Sequence, residues 1–102
     1  MANRLDLHQE LCSILGSTNV YFQPPASVSM KYPCIRYSLT GIDVKHADDR
    51  NYKNTRQYSV TVIDRNPDSV FPDSILNHFH MCRFDRSYTA DNLNHFVITL
   101  YY

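Results

Sequence analysis

The chain has 102 residues, with ten basic and ten acidic side chains and so no formal net charge. This length predicts one domain with a single hydrophobic core. Proteins that bind nucleic acid or anionic membranes through their overall charge carry an excess of Lys and Arg. The balanced charge of this chain therefore disfavours both as partners. Three widely spaced cysteines without a CxxC pair favour free thiols. No apolar run is long enough for a signal peptide or a membrane span, so we expect a soluble protein that stays inside the cell that makes it.

The first element predicted is an amphipathic helix over residues 3–15. Leucine and isoleucine recur there at helical spacing, and Gly16 is well placed as its left-handed stop. A short strand at residues 19–23 follows. It stops at Pro24 and Pro25, which open a rigid, exposed connection.

Two further strands are predicted in the middle of the chain, at residues 33–40 and 56–64. In both, apolar side chains alternate with polar ones, as in a strand with one buried face. Residues 41–55 between them are polar and charged, although their first residues can prolong the strand. We predict a long excursion that links two antiparallel strands, which is either functional or a solvated tip without a role.

A second helix follows the strand at residues 56–64 directly. Asn66 and Pro67 are typical of a helix start, yet Pro72 lies within the apolar stripe. Proline in a helix interior costs roughly 3 kcal/mol. The helix therefore kinks at Pro72 or restarts there, and we favour the restart.

The chain closes with an antiparallel hairpin, with strands at residues 81–88 and 95–102 and turn chemistry at residues 89–94. The order is helix, strand, strand, strand, helix, strand, strand. It predicts an α+β fold in which two helices pack on one face of a mainly antiparallel sheet.

One group of residues offers metal-binding chemistry. His78, His80 and Cys82 alternate, and in an extended segment they would point to one side as ligands. The segment joins a predicted helix to a strand, which breaks that alignment. We therefore expect no metal site.

Catalytic chemistry has little support in the sequence, because no GxSxG, P-loop, HExxH or GxGxxG motif is present. Asp85, Asp91 and His95 near the final hairpin can be drawn as a hydrolytic group. Polar residues are also common in turns and at the edge of a sheet, and this simpler explanation accounts for all three. We expect neither an enzyme nor a cofactor.

Four runs of sequence stand out in order along nearly the whole chain: VYFQPP at residues 20–25, YPCIRY at 32–37, QYSVTVIDRNPDS at 57–69 and FDRSYTADNLNH at 84–95. They resemble small tail completion proteins of long-tailed bacteriophages. More narrowly, they resemble the tail terminator group of siphophages.

The resemblance implies a structural protein of the virion neck, assembled in the host cytoplasm. A subunit of this family belongs to a hexameric ring that caps the tail tube, stops its polymerisation and offers a surface to the head connector. The implied partners are further copies of the chain, the tail tube protein and the connector or stopper. A head completion (stopper) protein of the same particle is the alternative, and a small enzyme or host-directed regulator is a more distant one.

We assign the ring or tube contacts to two segments, residues 24–29 and 44–55. The candidate interface residues within them are Pro24, Pro25, Val44, Lys45, His46, Asp48, Asp49, Arg50, Tyr52 and Lys53. The mixed charges of the second segment suit a complementary protein surface better than a phosphate backbone.

Overall fold

The computed structural model describes residues 4–24, 31–47 and 50–102, and for residues 43–47 and 50–54 it describes the backbone alone. Two helices and five strands follow one another along the chain. They are α1 Arg4–Leu15, β1 Val20–Phe22, β2 Cys34–Ala47, β3 Arg50–Asp64, α2 Phe71–His78, β4 Cys82–Ala90 and β5 Leu93–Tyr101. The predicted α+β class is confirmed, and so is the predicted succession of helices and strands.

The five strands form one sheet in the spatial order β1-β2-β3-β5-β4. β1 runs parallel to β2, and the other three neighbouring pairs are antiparallel. The sheet is therefore mainly antiparallel, as predicted. Its spatial order differs in detail from the order along the chain, because β5 lies between β3 and β4 and leaves β4 at an edge.

The core lies between one face of the sheet and the two helices. Alternate residues of β2, β3 and β5 share it with leucines of α1, with Ile75 of α2 and with Phe79 directly after α2. Its buried members are Leu7, Leu11, Leu15, Val20, Ile35, Tyr37, Tyr58, Val60, Val62, Ile75, Phe79, Ile98 and Leu100. Burying one such side chain contributes about 1.5–3 kcal/mol, so this cluster holds both helices on the same face.

α1 follows the predicted helix from residue 4 onward. Leu7, Leu11 and Leu15 recur every four residues and are buried in one stripe. The helix stops at Gly16, whose φ of 77° lies in the left-handed region that glycine adopts without strain.

α2 begins only at Phe71, so the predicted restart is confirmed. Pro72 lies in the first turn of the helix, where its missing N–H costs no intrahelical hydrogen bond. Asn66 does not cap this helix. Its side chain accepts a hydrogen bond from the Asp68 N–H at 3.0 Å and stabilises a separate turn.

The final hairpin turns more tightly than predicted. β4 runs to Ala90 and β5 begins at Leu93, so the turn consists of Asp91 and Asn92 rather than residues 89–94. Both turn residues have positive φ, 54° and 62°. Asp and Asn tolerate this conformation, and two-residue hairpins favour it because its twist matches that of the strands.

The predicted polar excursion at residues 41–55 is the main correction to the sequence reading. It is not a loop, because β2 and β3 continue through it and pair from Gly41↔Gln57 to Ala47↔Arg50. The sequence of this ribbon lacks a regular alternation of apolar and polar residues. The pattern that identifies a half-buried strand therefore could not reveal this one.

Candidate functional site

The most prominent surface feature is the outer part of the β2–β3 hairpin, residues 43–55, which we call the arm. β3 loses β5 as its neighbouring strand beyond Arg56, which exchanges two backbone hydrogen bonds with Tyr102, so the arm is a two-stranded ribbon that extends past the sheet. The arm contains five residues of β2 and six of β3, and five strand residues span about 17 Å. The molecule is correspondingly elongated, 51 × 28 × 23 Å, with a radius of gyration of 14.6 Å against about 13 Å for a compact chain of this length.

Most of the candidate interface residues lie in the arm. Val44, Lys45 and His46 belong to β2, and Arg50, Tyr52 and Lys53 belong to β3, all with only their backbone described. Pro25, Asp48 and Asp49 lie outside the described residues.

Pro24 lies at the same end of the molecule as the arm. β1 runs parallel to β2 and ends with the Phe22↔Tyr37 pair, a few residues before the arm begins. The next residue, Gln23, accepts a hydrogen bond from the Leu39 N–H at 3.1 Å. The structure thus brings Pro24, the one described residue of the first predicted contact segment, to the base of the arm.

A second surface is the face of the sheet opposite the core, which we call the open face. Neither helix packs on it, since both share the core on the other side. Register places residues of all five strands in transverse rows across it. One row is Tyr21, Arg36, Thr61, Val97 and Arg86, and the next is Ser38, Ser59, Thr99 and Arg83.

The open face is rich in hydroxyl and guanidinium groups. Arg36, Arg83 and Arg86 are exposed on it. Asp85, the carboxylate beside them, is engaged, because the Thr99 hydroxyl donates to it and the Arg83 Nε lies 3.2 Å from it. The surface therefore carries a net positive charge.

At the β4 edge of the open face, aromatic rings and an arginine stack. Tyr88 lies parallel to His95, with ring centroids 4.6 Å apart. The Arg86 guanidinium lies 5.8 Å from the centroid of the Tyr88 ring, within the range of a cation–π contact. These contacts hold the polar edge of β4 in a defined arrangement.

A third surface is a groove of about 380 Å³ between the two helices, which we call the helix groove. It is lined by Asp6, Gln9, Glu10, Ser13 and His78. Its Glu10 carboxylate accepts hydrogen bonds from the Tyr102 hydroxyl and, at 2.9 Å, from His78 Nε2. The groove is acidic, in contrast to the open face.

The contacts of Glu10 shift its protonation. The hydrogen bond from Tyr102 is the largest cause that lowers the pKa of Glu10; burial opposes it and His78 adds to it. Burial and the Glu10 carboxylate raise the pKa of Tyr102 to about 12. At neutral pH Glu10 is charged and Tyr102 is a neutral donor.

The two groups weighed in the sequence as chemical sites are not assembled as such. His78 contacts Glu10, whereas the Cys82 thiol donates to the carbonyls of Leu76 and Phe79. Within the described part of the chain no three His, Cys, Asp or Glu side chains are grouped as metal ligands.

The residues of the drawn hydrolytic group have separate partners. Asp85 pairs with Thr99, Asp91 forms the hairpin turn, and His95 stacks on Tyr88. The three cysteines are free thiols, and burial raises the pKa of Cys34 to about 11, which makes a reactive thiolate there unfavourable.

Sequence reasoning missed the open face and the helix groove. Alternation puts Arg36 and Arg83 on the polar sides of their strands, but only the register shows that these sides coincide. For Arg86 the alternation rule fails, because it places residues 83 and 86 on opposite faces of the strand. A bulge between Phe84 and Arg86 shifts the alternation of β4 and brings Arg86 to the face that Arg83 occupies.

No family model matches the chain, and comparisons with curated proteins and with solved structures returned no match. Over residues 4–24, 31–47 and 50–102, no helix is long and apolar enough to cross a membrane. The resemblance to tail terminators is therefore carried by the sequence runs alone.

Proposed function

We propose that this chain is a structural subunit of a phage tail, a tail terminator that forms a ring on the end of the tail tube. The ring ends polymerisation of the tube and presents the surface that the head connector binds. The chain acts by protein contacts, without catalysis or a cofactor, and its place is the neck of the virion.

The arm is the observation that supports this proposal most directly. A two-stranded hairpin is marginally stable in water by itself, and among the described residues no third strand pairs with the arm. A ribbon that projects from the core gains stability when another surface covers it. A neighbouring subunit or the end of the tail tube would provide that surface.

A closed ring also requires two different contact patches on each subunit, because every copy uses one patch to bind the next copy's other patch. The chain has distinct surfaces for this purpose. The arm projects from one end of the sheet, while the open face and the helix groove lie on opposite sides of the domain.

Substitution of the charged arm residues tests the proposal. The change of Asp48, Asp49, Arg50 and Lys53 together to Ala should prevent attachment to tails that lack their own terminator. The domain should stay folded, because the core lies outside the arm. Attachment is measured by sedimentation with purified tails, and folding by thermal unfolding.

A matched control replaces charges at the other end of β3, with Arg65→Ala and Asp68→Ala. Both side chains are exposed and lie outside the arm, so this variant should attach normally. Normal attachment of the arm variant would remove the arm from the contact surface. Binding to filled heads in place of tails would favour the head completion protein instead.

A further inference from the structure

The open face and the helix groove of this neutral chain carry different charges. The open face presents Arg36, Arg83 and Arg86, with one engaged carboxylate among them. The helix side presents Asp6 and Glu10 in the helix groove, and Asp73 is exposed on α2. Arg4 on α1 also lies on the helix side, where it donates to the Tyr37 hydroxyl, so the complementarity is between the open face and the helix groove.

The side chains of the two arginines on β4 are exposed to solvent. β4 is an edge strand and is exposed along most of its length. The Arg83 side chain is 69% exposed even while it contacts Asp85. Arg83 and Arg86 thus form a pair of guanidinium groups on one face of a free edge.

The helix groove has the chemistry to receive such a group. A carboxylate offers about four acceptor sites over its two oxygens, and Glu10 uses one on each oxygen for His78 and Tyr102. The remaining sites suit the forked N–H donors of arginine, which pair with carboxylates more strongly than neutral donors do. Gln9 and Ser13 add neutral acceptors to the same groove.

These two surfaces cannot meet within one chain, because the sheet separates them. The groove lies above the core on the helix side, whereas the Arg83↔Thr99 and Arg86↔Val97 pairs place both arginines on the open face. A contact between them must join two copies. Such a contact uses different patches on each copy, which is the geometry of rings.

We propose that Arg83 and Arg86 of one copy bind the helix groove of a second copy of this chain. The inference rests on the proposed ring and names the patches that close it. A nucleic acid is the less favoured occupant of the open face. It needs an excess of basic residues that the chain lacks, whereas the acidic groove is present on the chain itself.

Charge reversal on each side tests this contact. Arg83→Glu with Arg86→Glu, or Asp6→Lys with Gln9→Lys, should weaken self-association about tenfold or more, as loss of a charged interface pair does. An equal mixture of the two variants should restore assembly, because opposite charges then face each other again. Light scattering measures the mass, in free protein and on tails, and thermal unfolding shows that each variant is folded.

The single change Arg86→Glu should also weaken self-association, and its matched control is Arg65→Glu, at an exposed arginine in the turn after β3. It should leave assembly unchanged. Crosslinking between cysteines tests whether β4 of one copy lies against the helix groove of another. The crosslinker must be about as long as an arginine side chain. Gln9→Cys mixed with Arg86→Cys should give a crosslinked pair, and neither variant alone should exceed the wild-type background.

The outcomes separate the inference from the proposed function. If the wild type forms rings on tails and the charge variants do so equally well, the inference is wrong and the terminator function stands. If the arginine variant assembles normally but loses binding to a DNA duplex, the open face serves nucleic acid and the inference is again wrong. A wild type that stays monomeric with and without tails contradicts both.

Discussion

Glu10 joins three elements of the fold. It lies on α1, accepts a hydrogen bond from His78 at the end of α2, and accepts another from Tyr102 after β5. The carboxylate therefore fastens both helices to the last strand at the point where the helix groove is formed.

Removal of one of these bonds should loosen the junction. Tyr102→Phe should cost about 1–2 kcal/mol at neutral pH, because the charged acceptor loses a donor. Tyr101→Phe is the control, since Tyr101 alternates with Tyr102 and lies on the other side of the strand. Urea unfolding of both variants measures the difference, and equal stability would show that the Tyr102 hydroxyl contributes nothing.

The same junction predicts a response to acid. The pKa of Glu10 is lowered in the folded state, so its stabilising effect is present above the unfolded value of about 4.3. It is lost as the pH falls through the folded pKa. The stability difference between wild type and Tyr102→Phe should therefore shrink between pH 6 and pH 3.

His8 gives a second and separate acid response. Its Nδ1 lies 2.7 Å from the buried Tyr37 hydroxyl, which also accepts a hydrogen bond from Arg4 at 3.3 Å. Tyr37 has one proton to donate, so it bonds best to a neutral His8. Burial and the Arg4 charge lower the pKa of His8 accordingly.

The sign of this second effect follows from the lowered pKa. As the pH falls, His8 becomes protonated at a higher pH in the unfolded chain than in the folded one. The contribution of His8 to the free energy of unfolding is therefore complete above about pH 6.5 and is lost as the pH falls through the folded pKa. His8→Asn keeps an acceptor near Tyr37 and does not titrate. It should abolish the loss of stability between pH 7 and pH 5, whereas His80→Asn should preserve it. An unchanged pH profile in His8→Asn would contradict the assignment.

At the scale of elements, the β4–β5 hairpin depends on its two-residue turn. Asn92 has φ 62°, a conformation that glycine adopts without strain and alanine adopts at a cost of about 1–2 kcal/mol. Asn92→Gly should stabilise the protein by about 0.5–1 kcal/mol, and Asn92→Ala should destabilise it by a similar amount. Urea midpoints that move in the opposite directions would show that the turn is not of this type.

Elements that bury one face were predictable from the sequence. The leucine stripe of α1 and the alternation of Ile35 and Tyr37 in β2 are both confirmed, because burial imposes its own period on the sequence. Pro72 likewise marked the start of α2 correctly. Its preference for the first turn is local chemistry and needs no tertiary context.

Features that depend on pairing between distant strands were not predictable in the same way. The arm is polar on both faces, so no burial pattern marks its strands. The bulge that places Arg86 beside Arg83 is a property of the β4–β5 register. The helix groove requires α1 and α2 to lie side by side, which neither helix encodes alone.

At the scale of the whole molecule, the chain combines zero net charge with a basic open face, an acidic helix groove and a projecting arm. Such a molecule has little reason to attract polyanions from a distance, yet it presents complementary patches to its own copies. The elongated shape, 51 Å in its longest dimension, also places the arm away from the two charged surfaces. In the ring that we propose, this arrangement would let one subunit contact its neighbours and the tail tube at the same time.

The most direct test of this account is the solution mass across a dilution series, followed by mixing with tails that lack their terminator. The account predicts a ring of six chains of 11.9 kDa each, or a monomer that forms the ring only on tails, and tails that become competent to join heads. A monomer that ignores tails and binds filled heads, or ignores both, would contradict it.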